Sequence, residues 1–174
     1  MKIGYYYYKI LSKIFKDHDK MNNYYRKTGA KIGKNTLICS NIADSEACLI
    51  EIGDNSTISV NVSFVTHDYS IHNVSKDMIN LFGKIVIGNN CFIGERSIIM
   101  YGVELSDNVI VAAGSVVTHS FDKKNIIIGG NPAKIIGTWE EFYEKNKNNS
   151  ISKYDLKKVI KNNPEKLVSR CVKK

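Results

Sequence analysis

The sequence lacks the features that would identify several common classes of protein. Its 174 residues include only two prolines and one tryptophan. The sequence also contains no run of about 18 apolar residues, the length that a membrane-spanning helix needs. It contains no GxSxG motif, no GxxxxGK[ST] phosphate loop, and no GxGxxG that precedes a helix. These absences argue against a serine hydrolase and against the ordinary nucleotide-binding folds.

The cysteines and the net charge limit the metal sites, the cellular location and the partners that we expect. The four cysteines have neither CxxC spacing nor paired histidines, so we expect no metal site. No signal-peptide pattern is evident, and we expect a cytoplasmic protein with reduced thiols. The net charge of +8 is that of a lysine-rich solvated surface or of a protein that attracts anions, such as a phosphorylated cofactor or a membrane. We expect no nucleic-acid partner, because no recognition motif is present.

The strongest pattern is a period of six between residues 87 and 117. An aliphatic residue returns at every sixth position, and a small or β-branched residue follows it four places later. The aliphatic positions are Ile87, Ile93, Ile99, Leu105, Val111 and Val117. A helix would need a spacing of three or four, and a flat strand would need alternation. A period of six instead predicts a solenoid of very short strands and tight turns, with the aliphatic residues stacked inside.

This pattern divides the chain into three segments. Residues 1–29 show helical spacing and predict a helical segment that packs on the solenoid end, or that lies on a membrane surface. Residues 30–137 form the predicted solenoid, and residues 138–174 a C-terminal helical extension whose first helix Thr138 can cap. The hexads stop between residues 70 and 84, which predicts an inserted loop, and such loops often form a binding face.

One of the four histidines, His67, has a distinctive position. It occupies a turn of a regular hexad at the base of the inserted loop, where a rigid scaffold can hold a general base. The alternative is a structural or merely exposed histidine. Asp44, Glu46 and Asp68 are acids that could approach a ligand, or turn acids that accept hydrogen bonds from backbone amides.

Three stretches resemble the hexapeptide-repeat acyltransferases: the hexads, the run Val111-Ala-Ala-Gly-Ser-Val-Val, and Gly130-Asn-Pro-Ala-Lys. The stretch Phe64-Val-Thr-His-Asp is similar to the branch that O-acetylates sugars in capsule and lipopolysaccharide synthesis. The resemblance covers about residues 30–146. It implies a mainly β fold, a left-handed parallel β-helix with three hexads per coil. It also implies a homotrimer whose active sites lie between neighbouring subunits.

The resemblance also implies roles for individual residues. His67 matches the family's catalytic histidine, a general base for direct attack on acetyl-CoA, the donor. The residues that match cofactor contacts are Glu95, Ala113, Thr118 and Lys134. The candidates for contact with the acceptor sugar are Glu46, Asn61 and Asp68. Glu95 stands where the family often has serine or another small residue, so only a backbone contact is expected there.

The resulting hypothesis is an acetyl-CoA-dependent O-acetyltransferase for a sugar hydroxyl of a surface polysaccharide or its precursor. Three alternatives stay open at this point. The acceptor could be an amino-sugar nitrogen or an antibiotic hydroxyl, or the β-helix could be a non-catalytic scaffold. The third is a peripheral membrane protein that uses its tyrosine- and lysine-rich N-terminal segment.

Overall fold

The computed structural model describes residues 3–15, 18–148, 150–152 and 154–162. Its first compact unit ends at Gly137 and its second begins at Thr138. In chain order the elements are α1 (Ile3–Phe15), α2 (Asp19–Lys27), β1 (Lys31–Ile32), β2 (Leu37–Ile38), a 3-10 helix (Asp44–Leu49), β3 (Ile50–Ile52), β4 (Thr57–Ile58), β5 (Ser63–Val65), β6 (His67–Asp68), α3 (Ile71–Val74), β7 (Leu81–Phe82), β8 (Ile85–Ile87), β9 (Phe92–Ile93), β10 (Ile98–Met100), β11 (Glu104–Leu105), β12 (Val109–Val111), β13 (Val116–Val117), β14 (Ile126–Gly130), β15 (Ala133–Thr138), α4 (Trp139–Asn146) and α5 (Leu156–Asn162).

The short strands form three sheets that the chain visits in rotation. The first sheet has the order β1-β3-β8-β11, the second β15-β14-β12-β9-β4-β2, and the third β13-β10-β5. The pairing within the repeats is parallel, and Ile87 aligns with Leu105, which lies 18 residues later. Each coil therefore consists of three hexads, one per sheet. The result is a three-sided parallel β-solenoid, as the period of six predicts.

The repeated aliphatic residues fill the inside of the solenoid. Ile58, Ile93 and Val111 follow one another in register on the second sheet, and all three are fully buried. Burying one such side chain stabilises the fold by roughly 1.5–3 kcal/mol. The small residues four places later fill the tight inner corners. Where they are serines, the hydroxyl donates to a backbone carbonyl, as Ser56 Oγ does to Gly88 O over 2.9 Å.

The turns of the solenoid explain its Gly-x-Asn sequences. Asn55, Asn90 and Asn108 have φ angles near +55°, a left-handed conformation that asparagine tolerates better than most residues. A Cβ on Gly88 would lie 2.7 Å from the backbone of Ser106 in the next coil, so only glycine permits this close approach. The turn residues that follow the glycines, such as Asp54 and Asn89, accept hydrogen bonds from backbone amides of the preceding coil.

The first coil is two residues longer than the regular repeat of 18 residues. Ile32 aligns with Ile52, a spacing of 20 residues instead of 18. The extra length lies at the third side, where the chain forms the 3-10 helix in place of a strand. The two extra residues are thus an insertion at a corner of the first coil. The insertion places the side chain of Glu46 beside the following coil.

The predicted loop of residues 70–84 is more ordered than the sequence suggested. β6 and β7 pair antiparallel, with His67 opposite Phe82, and the four-residue helix α3 lies between them. We call residues 67–82 the arm. The arm therefore begins at His67 itself, because strand pairing continues from the corner of the coil into the insertion. Several apolar side chains of the arm are exposed: Tyr69, Val74, Met78, Ile79, Leu81 and Phe82.

The N-terminal helices pack on the solenoid through tyrosines. Tyr5 and Tyr8 of α1 contact the ring of Tyr24 in α2, at centroid distances of 6.0 and 5.6 Å. Tyr24 donates a 2.6 Å hydrogen bond to Asp44, and Tyr25 donates one to a backbone carbonyl. Burial, the largest cause, raises the pKa of Tyr24 to about 12. Asp44 therefore anchors the helices.

The second unit contains α4 and α5. Thr138 and Glu141 form a capping box at the start of α4, in which each side chain bonds the backbone amide of the other. This is the cap that the sequence predicted. The end of the predicted C-terminal extension, residues 163–174, lies outside the described residues.

Candidate active site

His67 lies at the corner that follows β5, where the chain leaves the third sheet for the arm. Its Nδ1 atom is 2.9 Å from Oε2 of Glu46. The side chain is 44% exposed, so one edge of the imidazole faces solvent while the other is held. The ring of Phe82, across the arm hairpin, lies 5.5 Å from the ring of His67. The corner, the carboxylate and the aromatic ring together fix the orientation of the imidazole.

Glu46 reaches this corner from the 3-10 helix of the preceding coil. Its Oε2 atom also accepts a hydrogen bond from the hydroxyl of Thr66. The Thr66 hydroxyl and then His67 lower the pKa of Glu46, so it is a carboxylate at neutral pH. An ionised carboxylate only accepts hydrogen bonds, which assigns the proton of neutral His67 to Nδ1. The lone pair is then on Nε2, where a general base needs it.

Asp68 has a different environment from that of Glu46. Its Oδ1 atom accepts a 2.8 Å hydrogen bond from the backbone amide of Ser70. This bond is the main cause that lowers the pKa of Asp68, and it closes a turn at the start of the arm. The carboxylate therefore already has a structural partner. The turn-acid alternative of the sequence analysis describes this position well.

Three predicted residues occupy the corner between the second and third sheets. Asn61, Glu95 and Ala113 lie at this turn in successive coils, and all three are exposed. The backbone amide of Gly114 donates to the carbonyl of Glu95 over 2.8 Å, which ties two of these turns together. The Glu95 side chain lies 3.6 Å from Arg96 Nε. We call the second sheet B and the third sheet C, and this corner between them, residues 60–61, 95–96 and 113–114, the B–C corner.

Thr118 lies on the opposite edge of the third sheet. It follows β13 directly and stacks on Met100 of the preceding coil. Met100 in turn stacks on Val65, which lies two residues before His67. Its hydroxyl is 3.4 Å from Nδ1 of His119. Lys134 lies on β15 at the end of the second sheet and is exposed. Within one chain, the third sheet therefore separates His67 and Thr118 from the B–C corner.

A cavity of about 1100 Å³ lies between the N-terminal helices and the first two coils. Asn61 and Phe64 line its solenoid side, and Tyr5, His18 and Tyr25 line its helical side. His67 does not line it. Asn61, a candidate for contact with the acceptor, therefore shares this cavity with the N-terminal helices and not with the imidazole of His67.

Other kinds of site find no support among the described residues. They contain no group of three or more His, Cys, Asp or Glu side chains that could hold a metal ion. Cys39, Cys48 and Cys91 are free thiols. In the same part of the chain, no helix is both long and apolar enough to cross a membrane.

The sequence analysis identified His67 and Glu46 but missed their contact and missed Thr66. The feature of the sequence that indicates this contact is the length of the first coil. Thr66 lies 20 residues after Glu46, the same spacing that aligns Ile32 with Ile52. The same register, extended to the third side of the coil, places the carboxylate next to Thr66 and His67.

The three-sided solenoid with a histidine at an exposed corner defines a class of repeat protein, and comparison with known proteins identifies the family. Residues 84–119 match the family model described as the hexapeptide repeat of succinyl-transferase. Protein CapG of Staphylococcus aureus is 38% identical over 125 residues, which are 69% of this chain and 72% of CapG. The chain belongs to the hexapeptide-repeat acyltransferase family.

Solved structures support this assignment. A hexapeptide-repeat acetyltransferase of Vibrio cholerae, complexed with acetyl-CoA, is 28% identical with a TM-score of 0.56, and the match covers 63% of this chain and 60% of that one. A maltose O-acetyltransferase of Clostridium difficile is 27% identical with a TM-score of 0.58, covering 77% and 85%. The chain spans from about half to almost three quarters of the length of the first curated relatives that it matches.

Proposed function

We propose that this protein is an acetyl-CoA-dependent O-acetyltransferase that acetylates a sugar hydroxyl of a surface polysaccharide or its precursor. The observation that carries the proposal is the contact of Glu46 with His67 at an exposed corner of the solenoid. The similar maltose O-acetyltransferase supports a sugar hydroxyl as the acceptor. The proposal of a surface polysaccharide rests on the stretch Phe64-Val-Thr-His-Asp, which resembles the branch of the family that acts in capsule and lipopolysaccharide synthesis.

In the proposed mechanism His67 acts as the general base. A sugar hydroxyl is scarcely ionised at neutral pH, so Nε2 removes its proton as the oxygen attacks the thioester carbonyl carbon. The imidazolium that forms carries its positive charge beside Glu46, whose carboxylate stabilises it. As the bond from carbon to sulfur breaks, the same proton passes to the departing thiolate. The products are the acetylated sugar and CoA, and no acyl-enzyme is required.

The predicted donor residues suit a long, flexible, phosphorylated molecule. Ala113 and Gly114 are small and exposed, so a pantetheine arm can lie against their backbone. Thr118 offers a hydroxyl, and the exposed ammonium group of Lys134 can form charge-assisted hydrogen bonds with a phosphate. Glu95 offers its backbone, because a second negative charge near phosphates would be unfavourable. Bound acetyl-CoA would supply an activated acetyl group.

The positions of these residues argue for an assembly. In one chain the third sheet lies between His67 and the B–C corner, so a single subunit does not bring the proposed base together with the donor contacts Glu95 and Ala113. We propose a homotrimer of left-handed β-helices in which the B–C corner of one subunit faces His67 of its neighbour. Asn61 would then lie close to the neighbour's base, where it can bind the acceptor. The free thiols agree with a cytoplasmic location.

Acetyl transfer to maltose, galactosides and nucleotide sugars tests the proposal. We expect His67→Ala to lower kcat by about 10²- to 10⁴-fold while the affinity for acetyl-CoA stays the same. The matched control is His72→Ala, since His72 bonds the carbonyl of Met78 within the arm. It should retain kcat within about fivefold. Equal turnover by His67→Ala and the wild type would refute His67 as the base, and failure to bind acetyl-CoA would favour a non-catalytic scaffold.

A further inference from the structure

The outer face of α1 is apolar and aromatic. Tyr6, Tyr7 and Ile10 are 60%, 58% and 57% exposed. Their spacing of three and four residues places them together on one side of the helix. Tyr5 and Tyr8 point the other way and pack on Tyr24. The solenoid therefore packs on one side of α1, and the side that carries Tyr6, Tyr7 and Ile10 is more than half exposed.

The positive charge of the protein is concentrated in the same region. Residues 1–27 contain seven lysines and arginines but only two aspartates, so five of the eight net positive charges lie there. Lys9 donates a 3.3 Å hydrogen bond to the Tyr5 hydroxyl, and Lys27 donates a 2.6 Å bond to the Tyr8 hydroxyl. These contacts hold two ammonium groups alongside α1.

We propose that the outer face of α1 docks on an anionic lipid surface, with the helix lying in the plane of the interface. Tyrosine suits this position because its ring is apolar and its hydroxyl can bond to headgroups or water. Ile10 adds apolar area that can enter the acyl boundary, and the lysines attract anionic headgroups. The docking depends on this surface alone, and it holds whether or not the chain transfers acetyl groups.

The charge argues against a second copy of this chain as the occupant. Two copies that met through this face would bring two regions of the same strong positive charge together, which is unfavourable. An anionic membrane offers the opposite charge and an apolar layer at once. The absence of a spanning helix from the described residues agrees with surface docking, because an interfacial helix does not need to cross the membrane.

Vesicle flotation of the full chain tests this proposal. We expect the wild type to float with vesicles of phosphatidylcholine mixed with phosphatidylglycerol, and to stay at the bottom with pure phosphatidylcholine. The variant with Tyr6→Ser, Tyr7→Ser and Ile10→Ser should bind the anionic vesicles about tenfold or more weakly. The matched control is Phe142→Ser with Tyr143→Ser on α4, whose side chains are 51% and 64% exposed. It should float like the wild type.

A charge variant separates the electrostatic contribution from folding defects. Lys9→Gln with Lys27→Gln should weaken flotation, whereas Lys145→Gln with Lys157→Gln removes the same charge elsewhere and should not. Circular dichroism and thermal unfolding establish that each variant is folded. Three results would overturn the proposal: flotation of the wild type with neutral vesicles, unchanged flotation of the Tyr6, Tyr7 and Ile10 variant, or no flotation at all. So would self-association that this variant abolishes without any vesicle binding, because a second copy would then cover the face.

Discussion

The Oε2 atom of Glu46 lies 2.9 Å from Nδ1 of His67, although the two residues are 21 positions apart in the chain. One turn of the first, lengthened coil separates them. The same oxygen also accepts a hydrogen bond from the hydroxyl of Thr66. A carboxylate fixed by two partners holds the imidazole in a single orientation and a single tautomer. We therefore assign Glu46 a positioning role in the proposed reaction, in place of the acceptor contact that the resemblance suggested.

The first prediction concerns the kinetic effect of this contact. Glu46→Ala should lower kcat on the order of 10²-fold, because His67 loses the group that orients it, and leave the KM for acetyl-CoA unchanged. The matched control is Glu51→Gln. Glu51 is as buried as Glu46, with side-chain exposures of 24% and 23%, and it contacts Lys31 and Lys84 instead of a histidine. It should retain the wild-type kcat within a few-fold.

A double-mutant cycle separates positioning from general destabilisation. If Glu46 acts through His67, Glu46→Ala has no further effect on turnover once His67 is alanine. Additive losses in the double variant would mean that Glu46 acts independently, and the assignment would be wrong. Thermal unfolding of all four proteins provides the control for folding.

The second prediction concerns stability against pH. Hydrogen bonding lowers the pKa of Glu46 and of Glu51 below the ordinary value of 4.5, through Thr66 first in one case and Lys31 first in the other. Each glutamate then contributes stability that is fully present above its unfolded-state pKa and is lost as the pH falls through its lower folded-state pKa. The difference in unfolding free energy between the wild type and Glu46→Gln should therefore shrink as the pH falls below about 4.5.

Chemical denaturation at a series of pH values measures this difference. Glu51→Gln should show the same trend, since the same linkage applies to it. The two variants should differ in activity and agree in the direction of their pH dependence. A stability difference that stays constant down to about pH 3 would show that neither carboxylate is stabilised in its ionised form.

Much of the fold could be predicted because its repeat is short and strict. A residue such as Ile93 has its place fixed by the residues six positions away on either side, so the inner rows follow from the sequence. The asparagines and glycines at the turns follow from left-handed conformations that those residues tolerate better than most. The arm was harder to predict from the sequence, because its antiparallel pairing of His67 with Phe82 joins residues 15 positions apart with no repeat between them.

The candidate site could be predicted only in part. His67 was identifiable because it occupies a turn of a regular hexad at the base of an insertion. Its contact with Glu46 depends on the two-residue lengthening of the first coil, and it becomes visible only when the register of the first two coils is extended to Glu46. The distribution of the predicted donor residues over both edges of the third sheet depends on how coils stack. That arrangement becomes visible only when residues such as Glu95 and Ala113, 18 positions apart, are placed in register.

The third prediction tests the inner row. Ile93 is fully buried between Ile58 and Val111 of the neighbouring coils. Ile93→Ala should lower the unfolding free energy by about 2–5 kcal/mol, because it removes buried apolar surface and leaves a cavity. Ile93→Val, which removes a single methylene, should cost about 0.5–1.5 kcal/mol. Denaturation at one fixed protein concentration measures both values, and equal stability of the alanine variant and the wild type would contradict the packing.

The last prediction concerns Lys134, the proposed partner of the phosphate on the adenosine ribose of acetyl-CoA. An ammonium group that bonds this phosphate is worth about 1 kcal/mol or slightly more at an exposed site, so Lys134→Gln should weaken CoA binding about five- to tenfold. The affinity for dephospho-CoA, which lacks that phosphate, should stay the same. Calorimetry with both ligands measures the difference. Lys123→Gln, an equal loss of charge outside the predicted donor residues, should leave both affinities within about twofold, and an equal loss for both ligands in Lys134→Gln would place the lysine elsewhere.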